Sequence, residues 1–332
     1  MRALAVQFTN PRKIDVIEVE VAPPQDGEVL VRTLYSGISG GTEMLVYRGE
    51  VPEQLELDET IGSLTGNFSY PLRYGYSCVG VVEESRADVS TGELVFCLHP
   101  HQGLFTTPGS ELVVTPNIPP RHATLLPYVE TALQLSLDAG GQQHEHVVVL
   151  GLGALGLLSA ALLARAGALV IASDLRDWRR RAAERFGVES VAPCRLGDVV
   201  AAATGGRGAP LVVEATGDPR TLTSALSLLA HEGVCLVASW YGTKPATLPL
   251  GGEFHRRRLS IRSSQVSTIP AALTGSWTVG RRRKVSVELM GELPLEVLAT
   301  HDFAAAEAPA AFDAVDRGIE GLIHAALRYD GL

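Results

Sequence analysis

The sequence predicts an α/β chain in which a β-rich first third precedes a doubly wound parallel sheet wrapped by helices. Three observations carry this. Residues 3–115 hold short β-branched segments separated by turn residues; residues 146–239 alternate apolar strands with helical segments; and the first strand-to-helix junction of that second region is glycine-rich.

In the first region the β segments are residues 3–8, 14–19, 28–34, 77–84, 94–99 and 111–115. Strands at this spacing predict a small barrel-like all-β unit. The order breaks between Glu43 and Tyr74, a long mixed segment with Gly49, Pro52, Gly62 and Gly66. A loop of that length in a compact domain is functional or mobile, and it is expected to set specificity. Residues 117–120 form a polar, proline-rich join, and residues 123–140 read as a helix pair or one broken helix.

The run Val147, Val148, Val149, Leu150 then feeds into Gly151-Leu152-Gly153-Ala154-Leu155-Gly156 and an apolar helix over 157–166. That order is what a dinucleotide-binding turn requires. Gly151 permits the tight turn, Gly153 lets the backbone approach a pyrophosphate, and Gly156 lets the helix pack near the strand. The diphosphate would sit at the positive end of the helix, on the backbone of Gly153, Ala154, Leu155 and Gly156. Gly167 stops the helix, and a second buried strand ends at Asp174, eighteen residues after Gly156. A carboxylate there accepts from both ribose hydroxyls and repels a 2′-phosphate, so NAD(H) is favoured over NADP(H). Arg176, Arg179, Arg180 and Arg181 follow the acid; they either hold a 2′-phosphate or form the solvated face of the next helix.

The alternation continues with a helix over 177–186, strands over 190–194 and 211–215, a helix over 219–230 and a strand over 234–239. These strands are apolar on both faces, as in a covered parallel sheet. Residues 259–262 add one more strand. Beyond it the pattern is less regular, with an Ala-rich helix over 304–317 and a closing strand over 324–329. Arg281 to Lys284 reads as a helix surface. Thr216, Gly217, Ser239, Trp240 and Tyr241 follow strands of this sheet, where the parallel-sheet rule places ligand contacts.

Composition narrows the partners. The 332 residues suffice for two domains, and a net charge of −9 argues against nucleic acid or an anionic membrane. No secretory h-region and no uninterrupted apolar run of membrane-spanning length is present. The four cysteines lack CxxC spacing, which fits a reducing cytoplasm and buried thiols.

Several strings together resemble the medium-chain dehydrogenase/reductase, alcohol dehydrogenase-like superfamily: Gly37-Ile38-Ser39 with Gly41-Thr42-Glu43, Gly75-Tyr76-Ser77 with Gly80-Val81-Val82, the glycine turn, and Glu214-Ala215-Thr216-Gly217. Within it the chain is similar to a bacterial branch of bacteriochlorophyllide dehydrogenase-like oxidoreductases, on the strings His99-Pro100-His101-Gln102, Glu130-Thr131-Ala132-Leu133, Ser239-Trp240-Tyr241-Gly242, Phe254-His255-Arg256-Arg257 and Ser263-Ser264-Gln265-Val266. The resemblance implies a GroES-like catalytic domain over 1–124, a Rossmann domain over 125–264, a return segment over 265–332, and a homodimer paired through the edge near residues 259–262.

It also locates a departure. Zinc-dependent relatives carry ligands where this chain has Ser39 or Gly40, Tyr76 with Ser77, and Pro127, none of them suited to zinc. No zinc is expected. Catalysis then falls to hydrogen-bond donors and a proton shuttle. Tyr76, at the position of the lost histidine, either serves there or fills the vacated space. Thr42 matches the proton-relaying hydroxyl of relatives. His101, in an HxH pair with His99, is an acid/base candidate if it faces a cleft. Glu130 either binds a substrate hydroxyl, takes a proton, or caps local structure. Three readings follow: an NAD(H)-dependent, zinc-independent dehydrogenase of a secondary alcohol or ketone on a small polar, perhaps cyclic, metabolite; a zinc-free NADPH-dependent quinone or enoyl reductase; or a catalytically silent NAD(H)-binding protein.

Overall fold

The computed structural model describes residues 1–329, which divide into two compact units: Met1–Pro127 with the residues from Met290 onward, and Tyr128–Leu289. The first unit begins with an antiparallel pair, β1 (Arg2–Asn10) and β2 (Lys13–Glu20). It continues through β3 (Glu28–Ile38), α1 (Thr42–Arg48), β4 (Cys78–Ser85), β5 (Leu94–Cys97), β6 (Leu104–Pro108), β7 (Val113–Val114) and α2 (Pro120–Ala123).

The chain continues with α3 (Leu126–Ala139), β8 (His146–Leu150), α4 (Ala154–Arg165), β9 (Leu169–Ser173), α5 (Asp177–Arg185), β10 (Glu189–Val191) and α6 (Pro193–Thr204). Then follow β11 (Ala209–Glu214), α7 (Thr221–Leu228), β12 (Leu229–Val237), β13 (Ser260–Ser263) and α8 (Val279–Met290). These strands make one parallel six-stranded sheet in the order β10-β9-β8-β11-β12-β13. Its centre is apolar because β8 and β11 carry Val147, Val148, Val149, Val212 and Val213, each with no exposed surface. The order reverses between β8 and β11, which makes that gap the switch point of a Rossmann sheet.

The return segment supplies β14 (Ala299–Ala304), α9 (Ala308–Arg317) and β15 (His324–Arg328). Its strands extend the first unit's sheet to β14-β15-β3-β4-β5-β7, with β6 also on β3. The fold class is thus α/β, a sheet-rich unit plus a Rossmann-type parallel sheet.

Several boundaries differ from the expectation. Residues 43–74 open with α1 and send Leu57, Leu64, Phe68, Leu72 and Tyr74 into one core with Phe312 and Leu327. The segment is therefore a packed element of the first unit. The strand expected over 190–194 stops at Val191 because Pro193 starts α6, where its missing N–H costs nothing. Residues 265–289 group with the second unit, not with the return segment. One tie that holds them there is Arg282, which is 2% exposed. Its guanidinium donates to Glu130 Oε1 at 3.1 and 3.2 Å and to Gln134 Oε1 at 2.5 Å, fastening α8 to α3. The stretch Arg281 to Lys284 is therefore not simply a helix surface.

Candidate functional site

The glycine turn separates into two kinds of glycine. A Cβ on Gly156 would lie 1.9 Å from the Gly151 carbonyl oxygen, and one on Gly151, whose φ is +91°, would lie 2.7 Å from that of Ala215. Both glycines are demanded by the protein's own packing. A Cβ on Gly153 would meet nothing within 4 Å, so no protein atom requires that position to be bare. An open backbone there, capping α4 without a side-chain hydrogen bond, suits a ligand's approach. The amides of Ala154, Leu155 and Gly156 have no acceptor within the helix and face an incoming anion. The residues present therefore fit a dinucleotide diphosphate.

Asp174 directly follows β9 and is 8% exposed. Its Oδ2 accepts the Leu152 N–H at 2.8 Å and its Oδ1 accepts the Arg176 N–H at 2.7 Å. The carboxylate thus ties the glycine turn to the start of α5 and keeps lone pairs for ribose hydroxyls. Arg181 pairs with Asp177 on the solvated face of α5, whereas Arg180, also paired with Asp177, is mostly covered and donates to the Asp174 carbonyl at 2.6 Å. Arg179 instead lies 3.6 Å from Asp174 Oδ2, and Arg176 is exposed.

Loops after β11 and β12 are stitched together at the same edge of the sheet. Ser239 Oγ accepts the Gly217 N–H at 2.9 Å. The Tyr241 hydroxyl donates to Glu214 Oε2 at 2.6 Å, and the Thr216 N–H donates to Glu214 Oε1 at 2.7 Å. Burial first, and then the hydrogen bond to Glu214, push the Tyr241 phenol well above its ordinary range. Trp240 is 40% exposed. Glu130 does not join this group: it is buried against Arg282 and Arg283, so the substrate-binding or proton-accepting role considered for it is replaced by a structural ion pair.

In the first unit Thr42 is the first residue of α1 and Tyr76 is half-buried, its ring edge-on to Tyr74 at 6.2 Å. His101 is not cleft-facing. It has no exposed surface, its Nε2 lies 2.7 Å from Glu43 Oε2 and its Nδ1 lies 2.7 Å from Ser36 Oγ. The ring lies over Gly75, where a Cβ would come within 2.7 Å of it and where φ is +120°. A histidine so enclosed is a strut, which corrects the acid/base expectation. Nor do the two histidines share a face: His99 stacks on Phe105 with ring centroids 3.9 Å apart. Sequence reasoning gave Glu43, Ser36, Arg282 and Glu214 no such roles, and no local pattern marks them.

Burial, opposed by the Pro100 carbonyl, holds His99 down at about 4. The unfolded chain, with an ordinary imidazole, takes up the proton first as pH falls. Stability is therefore full above about 6.5 and lost toward pH 4, by about 2 kcal/mol between pH 7 and pH 5. Buried His324, also lowered by burial, acts in the same direction. Chemical denaturation at the two pH values should show His99→Phe losing about 2 kcal/mol less than the native protein. An equal loss would exclude His99 as the source.

Among the described residues no group of three or more His, Cys, Asp or Glu side chains is placed to hold a metal ion. No helix is long and apolar enough to cross a membrane.

A parallel sheet with a bare glycine at its switch point is the arrangement of a dinucleotide-binding unit. The family described as zinc-binding dehydrogenase matches residues 154–278. The 2-desacetyl-2-hydroxyethyl bacteriochlorophyllide A dehydrogenase of Cereibacter sphaeroides is 29% identical over 74% of this chain and 76% of its own. Two solved structures share the fold: an alcohol dehydrogenase from E. coli CFT073 complexed with NADH, at TM-score 0.78 and 18% identity over 98% of this chain and 99% of that one; and a dehydrogenase from Sinorhizobium meliloti 1021 bound to NADP, at TM-score 0.77 and 20% identity over 99% of each chain. The chain belongs to the medium-chain dehydrogenase/reductase, alcohol dehydrogenase-like superfamily, and it is an oxidoreductase.

Proposed function

We propose that this protein is an NAD(H)-dependent, zinc-independent dehydrogenase that interconverts a secondary alcohol and a ketone on a small polar metabolite. Asp174 carries the cofactor preference: a buried carboxylate at the end of β9, bonded to the glycine turn, would repel a 2′-phosphate. The relative from Cereibacter sphaeroides, named for a hydroxyethyl compound, supports an alcohol as substrate. Zinc independence rests on Ser39, Tyr76 and Pro127 at the positions where relatives bind the metal, and the family match over 154–278 does not extend to them. The bound nicotinamide would supply hydride acceptance and return. Tyr76 and Thr42 then become the hydroxyls that hold the substrate oxygen and move its proton. The free cysteines support a reducing cytoplasm, and the β13 edge of the sheet is the surface proposed for a homodimer.

Fluorescence titration with NADH and NADPH, with elemental analysis for zinc on the same sample, tests this reading. Tight NADH binding, weak NADPH binding and no zinc are expected, and stoichiometric zinc overturns the metal-free assignment. Asp174→Ser should weaken NADH binding by about ten-fold and narrow the difference between the cofactors. A second reading is favoured by Arg176 and Arg179 beside that acid: a zinc-free, NADPH-dependent quinone or enoyl reductase. NADPH preference in the native protein would establish it over the first.

A further inference from the structure

The second unit buries three acids among its described residues, Glu130, Asp174 and Glu214. Arginines balance two of them: Arg282 and Arg283 flank Glu130, and Arg179 lies beside Asp174. Glu214 differs. It is 0% exposed, and every hydrogen bond it receives comes from a neutral group. The Thr216 N–H donates at 2.7 Å, the Thr216 hydroxyl by a short contact, the Thr221 hydroxyl at 3.2 Å and the Tyr241 hydroxyl at 2.6 Å. Among the described residues no cation forms an ion pair with it. Arg220 is engaged by both oxygens of Asp218, and Lys244 donates to the Gly217 carbonyl at 3.3 Å.

The sheet gives this charge a location. Glu214 ends β11, in register with Leu150 just before the glycine turn and with Val237 at the end of β12. A dinucleotide whose adenosine ribose meets Asp174 after β9, and whose diphosphate crosses the turn after β8, continues beyond the switch point over the ends of β11 and β12. We infer that Glu214 is an uncompensated buried anion under the nicotinamide half of the site, and that it biases the protein toward NAD⁺, whose nicotinamide ring is cationic, over NADH, whose ring is neutral. The inference rests on the dinucleotide reading above and adds a direction to it, since favouring NAD⁺ favours loading for alcohol oxidation. A unit charge acting through protein over on the order of 10 Å changes such a ratio about ten-fold.

Dissociation constants for NAD⁺, NADH and ADP-ribose, measured by calorimetry on the native protein, Glu214→Gln and Tyr241→Phe, test this. Glu214→Gln should weaken NAD⁺ relative to NADH by about ten-fold and leave ADP-ribose, which lacks the nicotinamide, unchanged. Tyr241→Phe retains the charge and should keep the native ratio. Equal effects of Glu214→Gln on NAD⁺ and NADH, or the same ratio change in both variants, overturn the inference. Should Glu214→Gln not fold, the native protein decides: tighter binding of NAD⁺ than of NADH supports the bias, and the reverse order overturns it. Failure of the native protein to bind even ADP-ribose overturns the dinucleotide reading, and this inference with it.

Discussion

Gly153→Ala is expected to melt within a few degrees of the native protein while binding NADH at least about ten-fold more weakly, whereas Gly156→Ala should damage stability and binding together. The difference follows from what each new Cβ meets. At Gly153 it meets no protein atom within 4 Å, and the backbone, at φ −68° and ψ −177°, suits any residue. Two small terms then oppose each other: alanine is a poorer N-cap than glycine by up to about 1 kcal/mol, and it restricts the unfolded chain by a similar amount. What remains is the ligand, whose pyrophosphate would have to approach past a methyl group. At Gly156 the methyl would lie 1.9 Å from the Gly151 carbonyl oxygen, so backbone must move, costing about 1–3 kcal/mol and opening the turn. Thermal melts paired with fluorescence titration separate the two effects. Native NADH affinity in Gly153→Ala would remove the turn from the diphosphate site.

The glycine turn was readable because its signal is local: a valine run, a spaced set of glycines and an acid at the next strand end all lie within residues 147–174. The parallel sheet was readable for the same reason, since strands buried on both faces must be apolar throughout. Elements without such a signature were not. The α6 sequence carries Gly197 inside it and Pro193 at its head, and both read as turn residues until the helix is seen. The edge strand β14, Ala-Thr-His-Asp-Phe-Ala, has no apolar run to announce it. Buried polar pairs were the least accessible, because their partners are far apart in sequence. Arg282 and Glu130 are separated by 152 residues, and nothing in a run of arginines says which one turns inward. His101 and Glu43 are 58 residues apart. The HxH spacing suggested a shared face, but that holds only on a regular strand, and β5 ends at Cys97.

That His101–Glu43 contact leads to the second large expected effect, in stability. Glu43 and His101 both have no exposed surface. The Glu43 carboxylate takes the His101 ring at 2.7 Å on Oε2 and the Ser39 N–H at 2.9 Å on Oε1. The other ring nitrogen of His101 meets Ser36 Oγ, itself 3.2 Å from the Tyr329 hydroxyl. One carboxylate thereby joins α1, the turn before it and the segment after β5, while the imidazole extends the chain to β3 and to the residue following β15. Glu43→Ala removes the acceptor for two buried donors at once and leaves a void where the carboxylate stood. The cost expected is about 3–5 kcal/mol, a fall in melting temperature of roughly 6–20 °C. Glu43→Gln keeps an acceptor and loses the charge, so it should cost less, about 1–3 kcal/mol. NADH affinity, housed in the other unit, should survive both substitutions wherever the variants remain folded. Native stability in Glu43→Ala would mean that the buried contact is not formed, and it would return His101 to the set of groups free to exchange protons with a substrate.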